Sequence, residues 1–276
     1  ASSMVIDASG NVYVTGASTG SGTSQDYATI KYNSSGVQQW VARYNGPGNN
    51  TDGAIEIVID GSNNIYVTGG SQGSGTSSDY ATIKYNSAGV QQWVARYHGP
   101  DDFDQAVSLA VDASGNVYVT GMSDGGSPTF NDYATIKYNS AGVQQWVRRY
   151  NGTGSTGDAA YSIAVDASGN IYVTGSSSGS GTASDYATVK YNSSGTQQWV
   201  ARYNGPGNSN DQAFKVVLVG TSLYVTGASA GTLNGDFATI KYNSSGVQQW
   251  AARYNGTSGK LGDGDNDMTE EGSGNN

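Results

Sequence analysis

Short stretches in which apolar and polar residues alternate recur along the whole chain, separated by clusters of Gly, Ser and Asn. One such set reads AIEIVID (Ala54 to Asp60), NIYVTG (Asn64 to Gly69), DYATIKYN (Asp79 to Asn86) and VQQWVARY (Val90 to Tyr97). Val, Ile, Thr, Tyr and Trp dominate these stretches, which favours strands, and no apolar run at the helical period competes with them. The pattern therefore predicts four short strands per set and no helix. Tyr27, Thr29 and Lys31 alternate with Ala28, Ile30 and Tyr32, so both faces of such a strand carry surface that can be packed.

The set is written five times. The phrase beginning DYATIKYN starts at Asp26, Asp79, Asp132 and Asp185 and returns as DFATIKYN at Asp236, giving spacings of 53, 53, 53 and 51 residues. Within each copy, DASGN-type and NSSG- or NSAG-type segments form two tight hairpins. A type I turn with Gly in the left-handed position fits them, and positive φ is expected at Gly36, Gly89, Gly142, Gly195 and Gly246. The other two links, such as 17–25 and 45–52, are longer and differ between copies.

Four antiparallel strands in a meander cannot bury both faces alone. Five copies can cover one another by closing radially, as propeller blades do. Trp40, Trp93, Trp146, Trp199 and Trp250, with the Tyr and Ile of each YATIKY strand, read as the material packed between copies. The expected fold class is thus all-β, a β-propeller of five four-stranded antiparallel blades over residues 1–256, with a Gly/Asp-rich tail or linker at 257–276.

The runs DASGNVYVTG, DYATIKYNSSG and QQW resemble the bacterial beta-propeller repeat family SBBP, itself similar to the NHL repeat, over roughly residues 1 to 256. The resemblance implies secreted or cell-surface bacterial proteins with no shared catalytic residues. Seven blades are implied by the family's name, whereas five copies are present here. A closed five-bladed ring and a segment of a six- or seven-bladed ring both stay open.

Charge and composition narrow the partners. The net charge is −9 and the 13 Lys and Arg lie mostly inside the repeated phrase, leaving no basic stripe for phosphates, so nucleic acid is not expected. No apolar run reaches the roughly 20 residues of a membrane span, and the first residues do not read as a basic, apolar, small-residue leader; because the numbering starts inside a repeat, a leader upstream stays open. With no Cys there is no disulfide framework.

Packing explains what all copies share, so residues found in one copy alone mark the candidate site. The link after Trp93 holds the chain's one histidine, His98, followed by Asp101, Asp102 and Phe103, and the next long link adds Asp124 and Phe130. These six residues are the candidate ligand- or partner-binding set, expected on one rim. Asp52, Asp104, Asp158 and Asp211 precede the first strand of their copies, and Asp26, Asp79, Asp132, Asp185 and Asp236 precede the third. They read as caps on local backbone amides; calcium is the cation that such carboxylates would suit. No cofactor and no metal set is assigned. Asp263, Asp265 and Asp267 in the tail only partly match a calcium loop.

Catalysis is not expected from this inventory. One His, no GxSxG elbow and carboxylates copied in every blade argue against an enzyme. The functional expectation is a non-catalytic scaffold at the cell surface or outside the cell that binds other surface proteins or copies of itself. The alternative is a carbohydrate-binding module that uses the long-link rim.

Overall fold

A computed structural model describes residues 1–126, 130–154, 156–231 and 235–255. The tail, with Asp263, Asp265 and Asp267, lies outside the described residues. Among the described residues there are strands and turns but no helix, and none of the twenty strands exceeds nine residues.

The strands form five separate four-stranded antiparallel sheets, each ordered as a simple meander. The first sheet comprises Ser3–Ile6, Val12–Thr19, Gln25–Tyr32 and Gln38–Tyr44. The second comprises Asp52–Ile59, Ile65–Gln72, Ser78–Tyr85 and Gln91–Tyr97, and the third Asp104–Val111, Val117–Asp124, Asn131–Tyr138 and Gln144–Tyr150. Ala159–Val165, Ile171–Ser178, Ser184–Tyr191 and Gln197–Tyr203 make the fourth; Asp211–Val219, Ser222–Ala230, Gly235–Tyr242 and Gln248–Tyr254 make the fifth. The sheets are grouped in two compact units, residues 1–127 with 133–149 and residues 128–132 with 150–276.

The hairpins follow their turn chemistry. All five glycines expected at positive φ have it, between 77° and 81°. In the first-to-second-strand hairpins, Asp7, Asp60, Asp112 and Asp166 each accept two backbone amides on Oδ1 and an Asn side chain and a Tyr hydroxyl on Oδ2.

A feature absent from the strand pattern is a bulge in the first strand of sheets two to five, where pairing skips Ile55, Val107, Tyr161 and Phe214. The glycine of each V-T-G faces it. A Cβ on Gly121 would collide with the Gln105 carbonyl and stand 2.9 Å from the Tyr80 hydroxyl of the preceding sheet. The bulge thus needs glycine, and its lack of a side chain leaves room for the neighbour's phenol.

Within each unit, neighbouring sheets are joined by the same three contacts. Tyr27, Tyr80 and Tyr186, all fully buried, donate to the Ala81, Ala134 and Ala238 carbonyls of the next sheet. Trp40, Trp93 and Trp199 lie on the next sheet's hairpin and donate Nε1 to Ser87, Ser140 and Ser244 carbonyls. Arg96, Arg149 and Arg253 donate back to the Tyr44, Tyr97 and Tyr203 hydroxyls. Trp250 faces no sixth hairpin among the described residues and is 42% exposed. Lys31 and its equivalents lie over tyrosine rings, with Nζ 5.0–5.3 Å from the centroid.

Candidate functional site

The long links of the first unit emerge together at one end of its sheets. Ser24 Oγ lies 3.1 Å from Thr51 Oγ1, and Gly48 N donates to Gln72 O at 3.1 Å. The frame beneath is again repeated. Asp52, Asp104, Asp158 and Asp211 are buried and accept the amides of Gly46, Gly99, Gly152 and Gly205 on Oδ2, as caps. Asp26, Asp79, Asp185 and Asp236 differ from the cap expectation. Their Oδ2 takes an arginine, Arg43, Arg96, Arg202 or Arg253, at 2.6–3.0 Å. A threonine side chain, Thr23, Thr76 or Thr182, joins in three of them.

The link His98–Asp104 breaks this frame. It is one residue shorter than 45–52, 151–158 and 204–211. In those three, the buried Asp also accepts a second amide on Oδ1, from Gln72, Ser178 or Ala230. In the short link the equivalent amide, Asp124 N, donates instead to Phe103 O at 2.8 Å, and Asp104 Oδ1 is buried without a hydrogen-bond partner. The nearby Ser123 hydroxyl favours the charged carboxyl without completing a hydrogen bond to Oδ1. Burial raises the Asp104 carboxyl above its ordinary value, against the pull of the Gly99 amide, Ser123 and His98.

His98 stands where other copies carry Asn45, Asn151 and Asn204. Its Nδ1 is 3.1 Å from Asp79 Oδ1 and 3.6 Å from Asp104 Oδ2, and its side chain is 44% exposed. Beside it Asp101 and Asp102 are exposed, and Phe103 is 38% exposed. Asp124 is half-buried and caps Gly126 N at 3.0 Å. Phe130 falls in the other unit and is described by itself: 63% exposed with φ 52°. The structure therefore brings His98, Asp101, Asp102, Phe103 and Asp124 to one end of the first unit. It adds Asp79 and Asp104, which the reading of each Asp as a cap had set aside. The signal available in sequence was the lone His in a position otherwise held by Asn.

A cavity of about 320 Å³ opens at the opposite kind of link, between the hairpins of the fourth and fifth sheets. Asp166, Asn170, Tyr172, Lys190, Gly220 and Ser244 are among its lining residues, and it exists where the fifth hairpin, at Gly220, is one residue short.

The sheets and their junctions define a protein built of β-propeller blades. The beta-propeller repeat of the SBBP family matches residues 92–127 and 145–181, in agreement with the resemblance read from the sequence. No curated protein matched the chain. Among solved structures, an ulvan lyase, a polysaccharide lyase, is similar with a TM-score of 0.56 and 13% identity, over 91% of this chain and 69% of that one. A eukaryotic initiation factor is similar with a TM-score of 0.50 and 9% identity, over 91% of this chain and 54% of that one. A gluconolactonase from Xanthomonas campestris gives a TM-score of 0.44 at 15% identity, over 80% of this chain and 67% of that one. These likenesses concern fold.

The likeness to the ulvan lyase also corrects the expectation that the chain is not an enzyme. A fold shared with a polysaccharide lyase is one on which catalysis occurs, so copied carboxylates and a single histidine do not exclude it. The symmetry argument fails for a physical reason visible here: one shortened link is enough to give one copy of a repeated aspartate different surroundings. Among the described residues, no helix is long and apolar enough to cross a membrane.

Proposed function

We propose that this chain is an interaction scaffold whose partner contact lies on the short link 98–103 of the first unit. The partner is another surface protein or a second copy of the chain, and the resemblance to SBBP proteins supports reading it as a cell-surface or extracellular protein. The observation that carries this reading is the shortened link itself. Its backbone is tied down through Phe103 O and Gly99 N, yet it presents Phe103, Asp101 and Asp102 to solvent. An aromatic held on a rigid backbone loses little entropy on binding, and flanking carboxylates supply orientation.

Light scattering over a range of concentrations tests the reading for the second-copy partner, and a pull-down with surface extract tests it for other proteins. The expected result is association that the Phe103→Ala, Asp101→Ala, Asp102→Ala variant loses with an unchanged melting temperature. Association that the variant retains would remove the link from the interface. A second reading, a carbohydrate-binding module, is favoured by the cavity beside Lys190, whose size and mixed amide, hydroxyl and aromatic lining suit sugar hydroxyls. Glycan-array binding by a monomer, lost in Asn170→Ala and retained in the link variant, would support it over the first.

A further inference from the structure

We propose that Asp79, His98 and Asp104 form a binding site for a divalent transition metal, zinc or a cation of similar preference. The site goes beyond the scaffold reading and does not depend on it. One ligand atom from each of the three residues lies within 4.8 Å of the others. Tetrahedral zinc, with bonds of about 2.0–2.2 Å to nitrogen and oxygen, sets its ligands about 3.3 Å apart. The separations from His98 Nδ1 to Asp79 Oδ1 and Asp104 Oδ2, 3.1 and 3.6 Å, bracket that value.

The surroundings favour a cation over a mere hydrogen-bond cluster. Arg96 Nη2 holds Asp79 Oδ2 at 2.7 Å, so Asp79 presents its other oxygen singly and in a fixed direction. Asp104 is fully buried; its Oδ2, the oxygen nearer His98, also accepts the Gly99 amide, while its Oδ1 is left without the amide that the equivalent aspartates receive. Two carboxylates against one arginine leave a net negative site. A nitrogen ligand selects zinc-like metals, whereas calcium asks for six to eight oxygens. The exposed side of His98 leaves the fourth position open to water or to a partner's donor.

The molecule contains its own controls. The links that lead into the second and fifth sheets have the same buried aspartate with Asn45 or Asn204 in place of His98, so each lacks the nitrogen ligand. His98→Asn copies a residue that this fold already accommodates at that position. The experiment is calorimetric titration of zinc chloride into the tag-free full chain after chelator treatment, with bound zinc counted by atomic emission. One zinc per chain is expected, with affinity reduced at least tenfold in His98→Asn and, separately, in Asp104→Asn, both checked for native circular dichroism. Absence of bound zinc would overturn the proposal. So would unchanged affinity in His98→Asn, or calcium taken up equally well with or without His98.

Discussion

The claim that copies exist to cover one another predicts a difference between two glycines in identical backbone conformations. Gly36 has φ +77° and nothing within 4 Å of where a Cβ would stand; Gly142 has φ +78°, with Trp93 Cδ2, Cγ and Cε3 at 2.7, 2.8 and 3.0 Å. Replacing either by Ala puts an L side chain in the left-handed region, at about 1–2 kcal/mol. Only Gly142→Ala also presses on the neighbouring sheet's tryptophan. That ring is held by its Nε1 bond to Ser140 O at 3.1 Å and by Tyr66 and Tyr138, with centroids at 6.2 and 6.4 Å, so it has little room to slide. Overpacking of this kind costs about 1–3 kcal/mol. Gly142→Ala should therefore be about 2–5 kcal/mol destabilising in total, and Gly36→Ala only about 1–2. Urea unfolding followed by circular dichroism measures both, and Trp93→Ala supplies the cycle: in its background the excess should vanish. Equal effects of the two glycine changes, or an excess that survives removal of Trp93, would refute inter-sheet packing at this hairpin.

Tyr80→Phe removes the phenol that donates to Ala134 O and should cost about 1 kcal/mol, whereas Tyr85→Phe removes a buried hydroxyl without a hydrogen-bond partner and should be neutral or stabilising; the same urea titrations compare them. Burial pulls Asp60, Asp112 and Asp166 upward but is outweighed by hydrogen bonds from Asn, Tyr and Ser, leaving their carboxyls below the ordinary 3.8. Their contribution is therefore present above pH 3.8 and lost as pH falls through the lower folded values, so the destabilisation caused by Asp112→Ala at neutral pH should shrink in acid melts. Burial, with Tyr44 nearby, pushes the Tyr85 phenol up from 10.0 to about 12, so its contribution is intact below pH 10 and lost toward 12. Absorbance titration near 295 nm should show part of the 20 tyrosines ionising only in that upper range or on unfolding. If all titrate together near 10, the buried tyrosine junctions are misplaced.

Strand content, meander order and hairpin glycines were legible because each rests on local chemistry: alternation for the strands, left-handed backbone for the glycines. Trp40, Trp93 and Trp199 were legible as inter-copy material because a repeated aromatic needs a repeated partner. The bulge opposite V-T-G was not, since skipping Val107 in the pairing leaves the one-dimensional alternation almost unchanged. Asp79 was misread as an amide cap, because an aspartate at a strand entrance looks the same whether its partner is an amide close by or an arginine 17 residues on.

The candidate site shows the same divide more sharply. His98 stood out in sequence as a departure from Asn, and Phe103 as an aromatic in a polar link. What gives the place its chemistry is the routing of one amide. Dropping a residue from the link turns Asp124 N to Phe103 O and strips Asp104 Oδ1 of a partner that Asp52, Asp158 and Asp211 keep. A repeat protein can thus acquire a distinct site without altering a framework residue. The inherited carboxylates stay where folding put them, and a deletion in one link changes what they are free to bind. Symmetry in the sequence therefore measures how the fold is held together, while sites are found where link length changes.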